Sequence, residues 1–176
     1  MADTTAAEPL GIRERRMLTL DDGGARFTYR VAGVAVQDGQ VLLQYAPDEG
    51  GFWFLPGGRV EMGEPAAVAL LREMQEELGV TVEVGRLLWV VEDFYEFLGT
   101  PHHALALVFA ITVPAERAPA KGSFVAMEGD QAIPCVWQPL AEAARLPIYP
   151  SFLREALTDL PQTPRHVVYV DSPKQE

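Results

Sequence analysis

The spacing of apolar residues changes along the chain, and each change marks an element. β-Branched and aromatic residues at Ile12–Leu20 and Ala25–Val36 flank Asp21-Asp22-Gly23-Gly24, which predicts a hairpin over 12–36. Asp38-Gly39 separates the apolar runs Arg30–Val36 and Val41–Ala46, and an Asp-Gly pair there is the favoured two-residue hairpin turn. These strands are expected as neighbours in one sheet. Ala46–Glu64 mixes glycine and proline with Phe52, Trp53 and Phe54, a composition that suits an ordered loop.

From Pro65 to Leu78 the period becomes helical. Pro65 suits a first turn, Gly79 suits the position just past the end, and Ala67, Leu71, Met74 and Leu78 recur at helical intervals. At roughly 100° per residue these four gather on one side, while Glu73, Glu76 and Glu77 share about a third of the circumference opposite. One face is expected to pack and the other to be acidic. Three extended runs follow, Val80–Phe97, His102–Val113 and Ala132–Leu140, broken by Gly99-Thr100-Pro101 and by a polar stretch from Pro114 to Gly129. Leu140–Leu146 and Ser151–Leu160 read as short helices, the second capped by Ser151, and Arg165–Val170 as a last strand or an ordered tail. The reading is an α/β protein with a mixed sheet: a flexible N-terminus over 1–11, one domain over 12–160, and a C-terminal tail over 161–176.

At 176 residues with 48% hydrophobic and 22% charged residues, the chain has the balance of an ordinary globular domain, not of a disordered or fibrous one. Its 25 acidic against 14 basic residues leave a net charge of −11, which repels polyanions and argues against a nucleic-acid partner. The single cysteine, Cys135, excludes a disulfide within the chain. The longest apolar stretch, Ala104–Val113, falls short of the roughly 18 residues of a membrane span, and the first residues lack the apolar core of a signal peptide. A cytoplasmic protein with no membrane partner is expected.

Like charges three and four residues apart, as Glu73 is from Glu76 and Glu77, repel by a few tenths of a kcal/mol in an isolated helix, so the cluster is locally unfavourable. Arg72 offsets part of this. A hard divalent cation, Mg²⁺ or Mn²⁺, would offset all of it, because such ions prefer carboxylate oxygens and retain waters elsewhere. On its own the segment Arg72–Leu78 also reads as a solvated helix face. The preceding Gly57-Gly58 pair, able to bring bare backbone close to that face, favours a site.

Residues 58–80, GRVEMGEPAAVALLREMQEELGV, resemble the 23-residue box of the Nudix hydrolase family: Gly58, Glu64, Arg72-Glu73, an apolar residue, Glu76-Glu77, Gly79 and a closing aliphatic, all at the box spacing. Only Met74 departs, standing where Ile, Leu or Val is commoner. The resemblance extends over about Arg30–Leu146. It implies an α/β/α sandwich around a mixed β-sheet, and hydrolysis of a nucleoside diphosphate linked to a group X into a mononucleotide and phosphorylated X. It also implies Mg²⁺ or Mn²⁺ held by Glu76 and Glu77, with Glu73 a further ligand or the group that orients the attacking water, and Gly57 giving its carbonyl. Arg72 would pair with a box carboxylate and Glu64 would tie the loop to the helix. The base would come from outside the box, at Glu128, with Asp130 as its rival. The partner implied is a small nucleotide derivative.

Other residues carry weaker expectations. His102 and His103 read as surface residues, and Phe52, Trp53, Phe94 and Tyr95 as packing. Glu92 and Glu96 alternate on one strand face, while Arg30 and Arg59 are candidate phosphate contacts or solvated arginines. Two rival functions are a non-catalytic Nudix domain that senses a nucleotide, marked by lost box carboxylates, and an isomerase with an added active-site cysteine. All box carboxylates are present, and Cys135 lies in an apolar run that suits a buried residue. No motif outside the box selects the substrate, and a homodimer through the 12–36 hairpin is possible.

Overall fold

The computed structural model describes residues 15–47, 50–118, 122–129 and 131–171. Residues 12–14 of the expected hairpin and Asp130 lie outside them, as does the side chain of Glu128. In chain order the elements begin with strands β1 (Thr19–Asp21), β2 (Arg26–Val34), β3 (Val36–Gln37), β4 (Gln40–Ala46), β5 (Phe52–Phe54) and β6 (Gly57–Arg59). Helix α1 (Ala66–Leu78) follows, then β7 (Glu83–Phe97), β8 (Thr100–Thr112), β9 (Phe124–Glu128) and β10 (Gln131–Pro139). Two four-residue helices, α2 (Leu140–Ala143) and α3 (Leu153–Ala156), precede the last strand, β11 (Arg165–Val170).

The strands form two sheets, not the single one expected. A mixed six-stranded sheet runs β1-β2-β8-β7-β11 with β6 paired to β2, and a five-stranded sheet runs β3-β4-β10-β9 with β5 paired to β4. In the first, β2 lies parallel to β8 and β11 parallel to β7, the other pairings being antiparallel. The long apolar run splits at Ala35: β2 stays in the first sheet, while β3 turns into the second and pairs with β4 through Asp38-Gly39. Both turn residues take positive φ, 51° and 73°, as a tight hairpin with right-handed twist requires.

Two cores lie on opposite sides of the sheets. On one side Ala69, Leu70, Met74 and Leu78 of α1 pack with Val31, Leu42, Cys135 and Trp137. On the other, Leu153 and Leu157 pack with Val41, Leu43, Trp89 and Val108. Strand β4 therefore alternates between cores residue by residue, and the layers are helix, sheets, helices: an α/β/α sandwich.

Helix α1 ends at Gly79, whose φ of 64° permits the closing bonds Gly79 N–H to Gln75 O and Val80 N–H to Met74 O. Its packed stripe is turned from the expected one. Ala69, Leu70, Glu73, Met74 and Leu78 are buried, whereas Leu71 is 37% exposed. The stripe turns because Glu73 points inward over Gly58, as the site shows below. Three other expectations shift. The β7–β8 turn is Leu98-Gly99, so Thr100 and Pro101 begin β8. The polar stretch 114–129 contains β9, in which, among the described side chains, only Ala126 is fully buried, between exposed Val125 and Met127. Ser151 does not cap α3, its hydroxyl meeting the Tyr169 hydroxyl at 2.9 Å instead. Among the described residues no helix is long and apolar enough to cross a membrane.

Candidate functional site

A cleft of about 430 Å³ opens between α1, the β6 loop, β4 and the end of β9. Gly57, Gly58, Glu73, Glu76 and Glu77 border it, together with Arg30, Arg59, Gln44, Phe54 and Met127. The glycine pair makes the close approach possible. A Cβ on Gly57 would overlap the backbone of Val31 and Ala32, and one on Gly58 would overlap the Glu73 carboxyl group. Only a bare backbone lets β6 lie against β2 and lets Glu73, 6% exposed, tuck beneath the loop.

Arg72 organises the carboxylates. Its Nε and Nη2 donate to the two oxygens of Glu64, each at 2.9 Å, Nη1 donates to Glu73 at 2.8 Å and to Glu76 at 3.2 Å, and Nη2 reaches the Arg59 carbonyl at 3.0 Å. Glu64 also accepts the Glu61 N–H at 3.1 Å. One guanidinium thus ties the helix to the loop before it. Burial opposes ionisation of Glu64, yet Arg72 and that N–H hold its carboxyl below the usual range. The same carboxylates push the Arg72 guanidinium up.

Arg15, which the sequence reading passed over, reaches the site from before β1. Its Nε lies 2.5 Å from Glu61 and its Nη atoms 2.9 and 3.0 Å from the two oxygens of Glu76. Bonding to Arg15, against the opposition of burial, holds the Glu76 carboxyl low. Gln44 was also missed. It is fully buried, its Nε2 lies 3.4 Å from Glu77 Oε2, and its Oε1 has no hydrogen-bond partner among the described residues. A polar residue inside the apolar run Val41–Tyr45 was the available signal.

Among the described residues no three His, Cys, Asp or Glu side chains converge as a ready metal cage. Arg15 and Arg72 occupy carboxylate oxygens that a cation would use. The donor set nonetheless suits a hard divalent cation: three carboxylates of one helix and the Gly57 backbone border one cleft, beside an unpartnered buried amide oxygen.

The remaining candidates sort by position. Arg30 and Arg59 both line the cleft. Glu128 ends β9 between the cleft-lining residues Met127 and Gly129. His103 stacks on Phe94 and His102 on Tyr95, and Glu92 bonds His166 at 2.6 Å, all apart from the cleft lining. Phe52 and Trp53 pack against Phe54 and Tyr45. Cys135 is buried.

The NUDIX domain model matches residues 27–160. The CTP pyrophosphohydrolase of Escherichia coli is 34% identical over 92 residues, covering 42% of this chain and 68% of that protein. The 8-oxo-dGTP diphosphatase of Proteus vulgaris is 52% identical over 46 residues, covering 26% of this chain and 41% of that one. In structure, the mutator MutT protein of Bacillus halodurans matches with a TM-score of 0.61 at 20% identity, over 85% of this chain and 93% of that one, a likeness of fold. With a family match over residues 27–160 and a shared fold, the chain belongs to the NUDIX domain family and is a Nudix hydrolase by kinship.

Proposed function

We propose that the chain hydrolyses the pyrophosphate bond of a nucleoside di- or triphosphate derivative, releasing a mononucleotide and the remaining phosphorylated group. The observation that carries this reading is the convergence on one cleft of Glu73, Glu76, Glu77, the Gly57-Gly58 backbone and two arginines. The carboxylates give an anionic wall suited to a cation, and Arg30 and Arg59 give positive charge for phosphate oxygens.

Glu73, Glu76 and Glu77, with the Gly57 carbonyl, would hold Mg²⁺ or Mn²⁺. When bound, that ion supplies charge neutralisation at the diphosphate oxygens and lowers the pKa of water. The chain's own groups do the rest. Arg72 keeps Glu73 and Glu64 in one arrangement, so the helix meets substrate with fixed rotamers. Glu128, between two cleft-lining residues, is assigned the proton of the attacking water. The names of the two sequence relatives point to nucleoside triphosphates as the first compounds to try.

The test is a screen of CTP, 8-oxo-dGTP, ADP-ribose, nucleotide sugars and dinucleoside polyphosphates with Mg²⁺ or Mn²⁺, run beside Glu76→Gln and Glu77→Gln. Turnover of one class, falling by about two orders of magnitude or more in both variants, is expected. Saturable nucleotide binding with no product from the unsubstituted protein would replace this reading with that of a sensor.

A further inference from the structure

Gln44 sits fully buried on β4, the strand whose neighbours Val41, Leu42 and Leu43 fill the two cores. Leaving half of a buried carboxamide unpaired is unfavourable, so the position calls for a ligand that completes it. Nε2 faces Glu77, and exchanging the amide's two ends would set a carbonyl against a carboxylate, so the orientation is fixed by chemistry. That leaves Oε1 as the open acceptor. Neither cross-strand neighbour supplies a donor to it. Phe54 is apolar, and Cys135 meets the Gln44 amide as an acceptor at sulfur, its own S–H being directed to the Ile133 carbonyl at 3.8 Å. Gln44 borders the same cleft as the three glutamates.

We propose that Gln44 is a positioning residue of the cation site, holding the Glu77 carboxylate through Nε2 and offering Oε1 to a water of the incoming cation's hydration shell. The proposal rests on the cation reading given above. A neutral acceptor suits the place, because a fourth carboxylate beside Glu73, Glu76 and Glu77 would add repulsion, whereas a hard divalent ion brings water donors with it. Partners of this kind fix the rotamer of a ligating carboxylate, and losing one typically weakens metal binding 10- to 100-fold.

The test measures Mn²⁺ affinity of the full chain by electron paramagnetic resonance, without substrate, for the unsubstituted protein, Gln44→Met, Glu77→Gln and the double variant. Gln44→Met keeps the volume and removes both polar groups. It is expected to bind Mn²⁺ 10- to 100-fold more weakly at an unchanged or raised Tm, and the double variant to bind no more weakly than Glu77→Gln alone. Affinity within about twofold of the unsubstituted protein, or a loss that adds fully to that of Glu77→Gln, overturns the assignment. If Glu77→Gln itself binds normally, the cation reading fails and this proposal with it; if Glu77→Gln weakens binding and Gln44→Met does not, only the role of Gln44 fails. Should Gln44→Met not fold, the unsubstituted ¹⁵N-glutamine-labelled protein decides. Mg²⁺ is expected to shift the Gln44 side-chain amide signals, and unmoved signals reject the proposal.

Discussion

Arg72 and Glu64 meet through two parallel N–H···O bonds of 2.9 Å, a guanidinium–carboxylate fork that joins helix α1 to the loop eight residues earlier. Arg72 is 16% exposed along its side chain and Glu64 13%, so the pair is well shielded from water. Removing Arg72 leaves buried Glu73 without the guanidinium that bonds it and half-buried Glu64 with only the weaker field of Arg15, a loss of about 3–5 kcal/mol. Arg72→Met should therefore lower Tm by about 6–20 °C in a domain of this size. Lysine has the charge without the fork, and Arg72→Lys should recover only part. Thermal unfolding followed by circular dichroism checks this; a Tm change below 2 °C in Arg72→Met would show that the fork does not hold the loop.

Gly58 is a steric requirement of the same arrangement. A Cβ there overlaps the Glu73 carboxyl group, so Gly58→Ala must push Glu73 from Arg72 at a cost of about 1–3 kcal/mol. The expected result is a Tm lowered by about 2–12 °C together with weaker Mn²⁺ binding. Gly24→Ala, whose Cβ would meet Asp22 at an ordinary 3.7 Å, should leave both unchanged. Equal behaviour of the two variants would refute the steric account.

On the cation reading proposed above, Arg15 would compete with the ion for Glu76. Arg15 is 59% exposed and Glu76 42%, so their ion pair contributes about 0.2–1 kcal/mol. Arg15→Gln should accordingly tighten Mn²⁺ binding by up to about fivefold. The gain should shrink at high salt, because the pair is screened. Titration calorimetry at two ionic strengths reads both effects, and affinity indifferent to the substitution would mean that Arg15 yields Glu76 without cost.

Away from the cleft, burial pushes the Asp93 carboxyl up to about 6, with Asp171 adding to the rise and Arg30 opposing it. Between about pH 4 and 6 the folded chain therefore binds more protons than the unfolded one, and stability falls as pH rises through that window. Asp93→Asn, which cannot ionise, should be more stable than the unsubstituted protein at pH 7.5 by about 1–2 kcal/mol, allowing for solvent screening. At pH 3.5 the two should match. Urea unfolding at both pH values tests this, and a difference that persists at pH 3.5 would assign the effect to packing.

The features that sequence disclosed are those written in local spacing. The Asp38-Gly39 hairpin and the Gly79 helix end each depend on residues within one turn of each other. The glutamate helix was legible for the same reason, and the family match covers it. What escaped was long-range. Arg15 meets Glu76 across 61 positions and Gln44 meets Glu77 across 33, and no periodicity records such pairs. The packed stripe of α1 was misplaced because hydrophobicity assigned Leu71 to the core, whereas the space over Gly58 draws Glu73 inward. Strand β9 hid in a polar stretch because two of its apolar residues face solvent. The division into two sheets turns on a single bend at Ala35, where no glycine or proline stands.

The residue-by-residue alternation of β4 between the two cores makes its register a safeguard against misfolding. Sliding the strand by one position would send Gln44 into the apolar layer around Leu153 and Leu157, and would turn Leu43 toward the glutamates. Such a slip is penalised twice, once by an amide stranded among hydrocarbons and once by a leucine facing charge. The polar residue that the cleft requires thus also tells the folding chain which way round its central strand must lie.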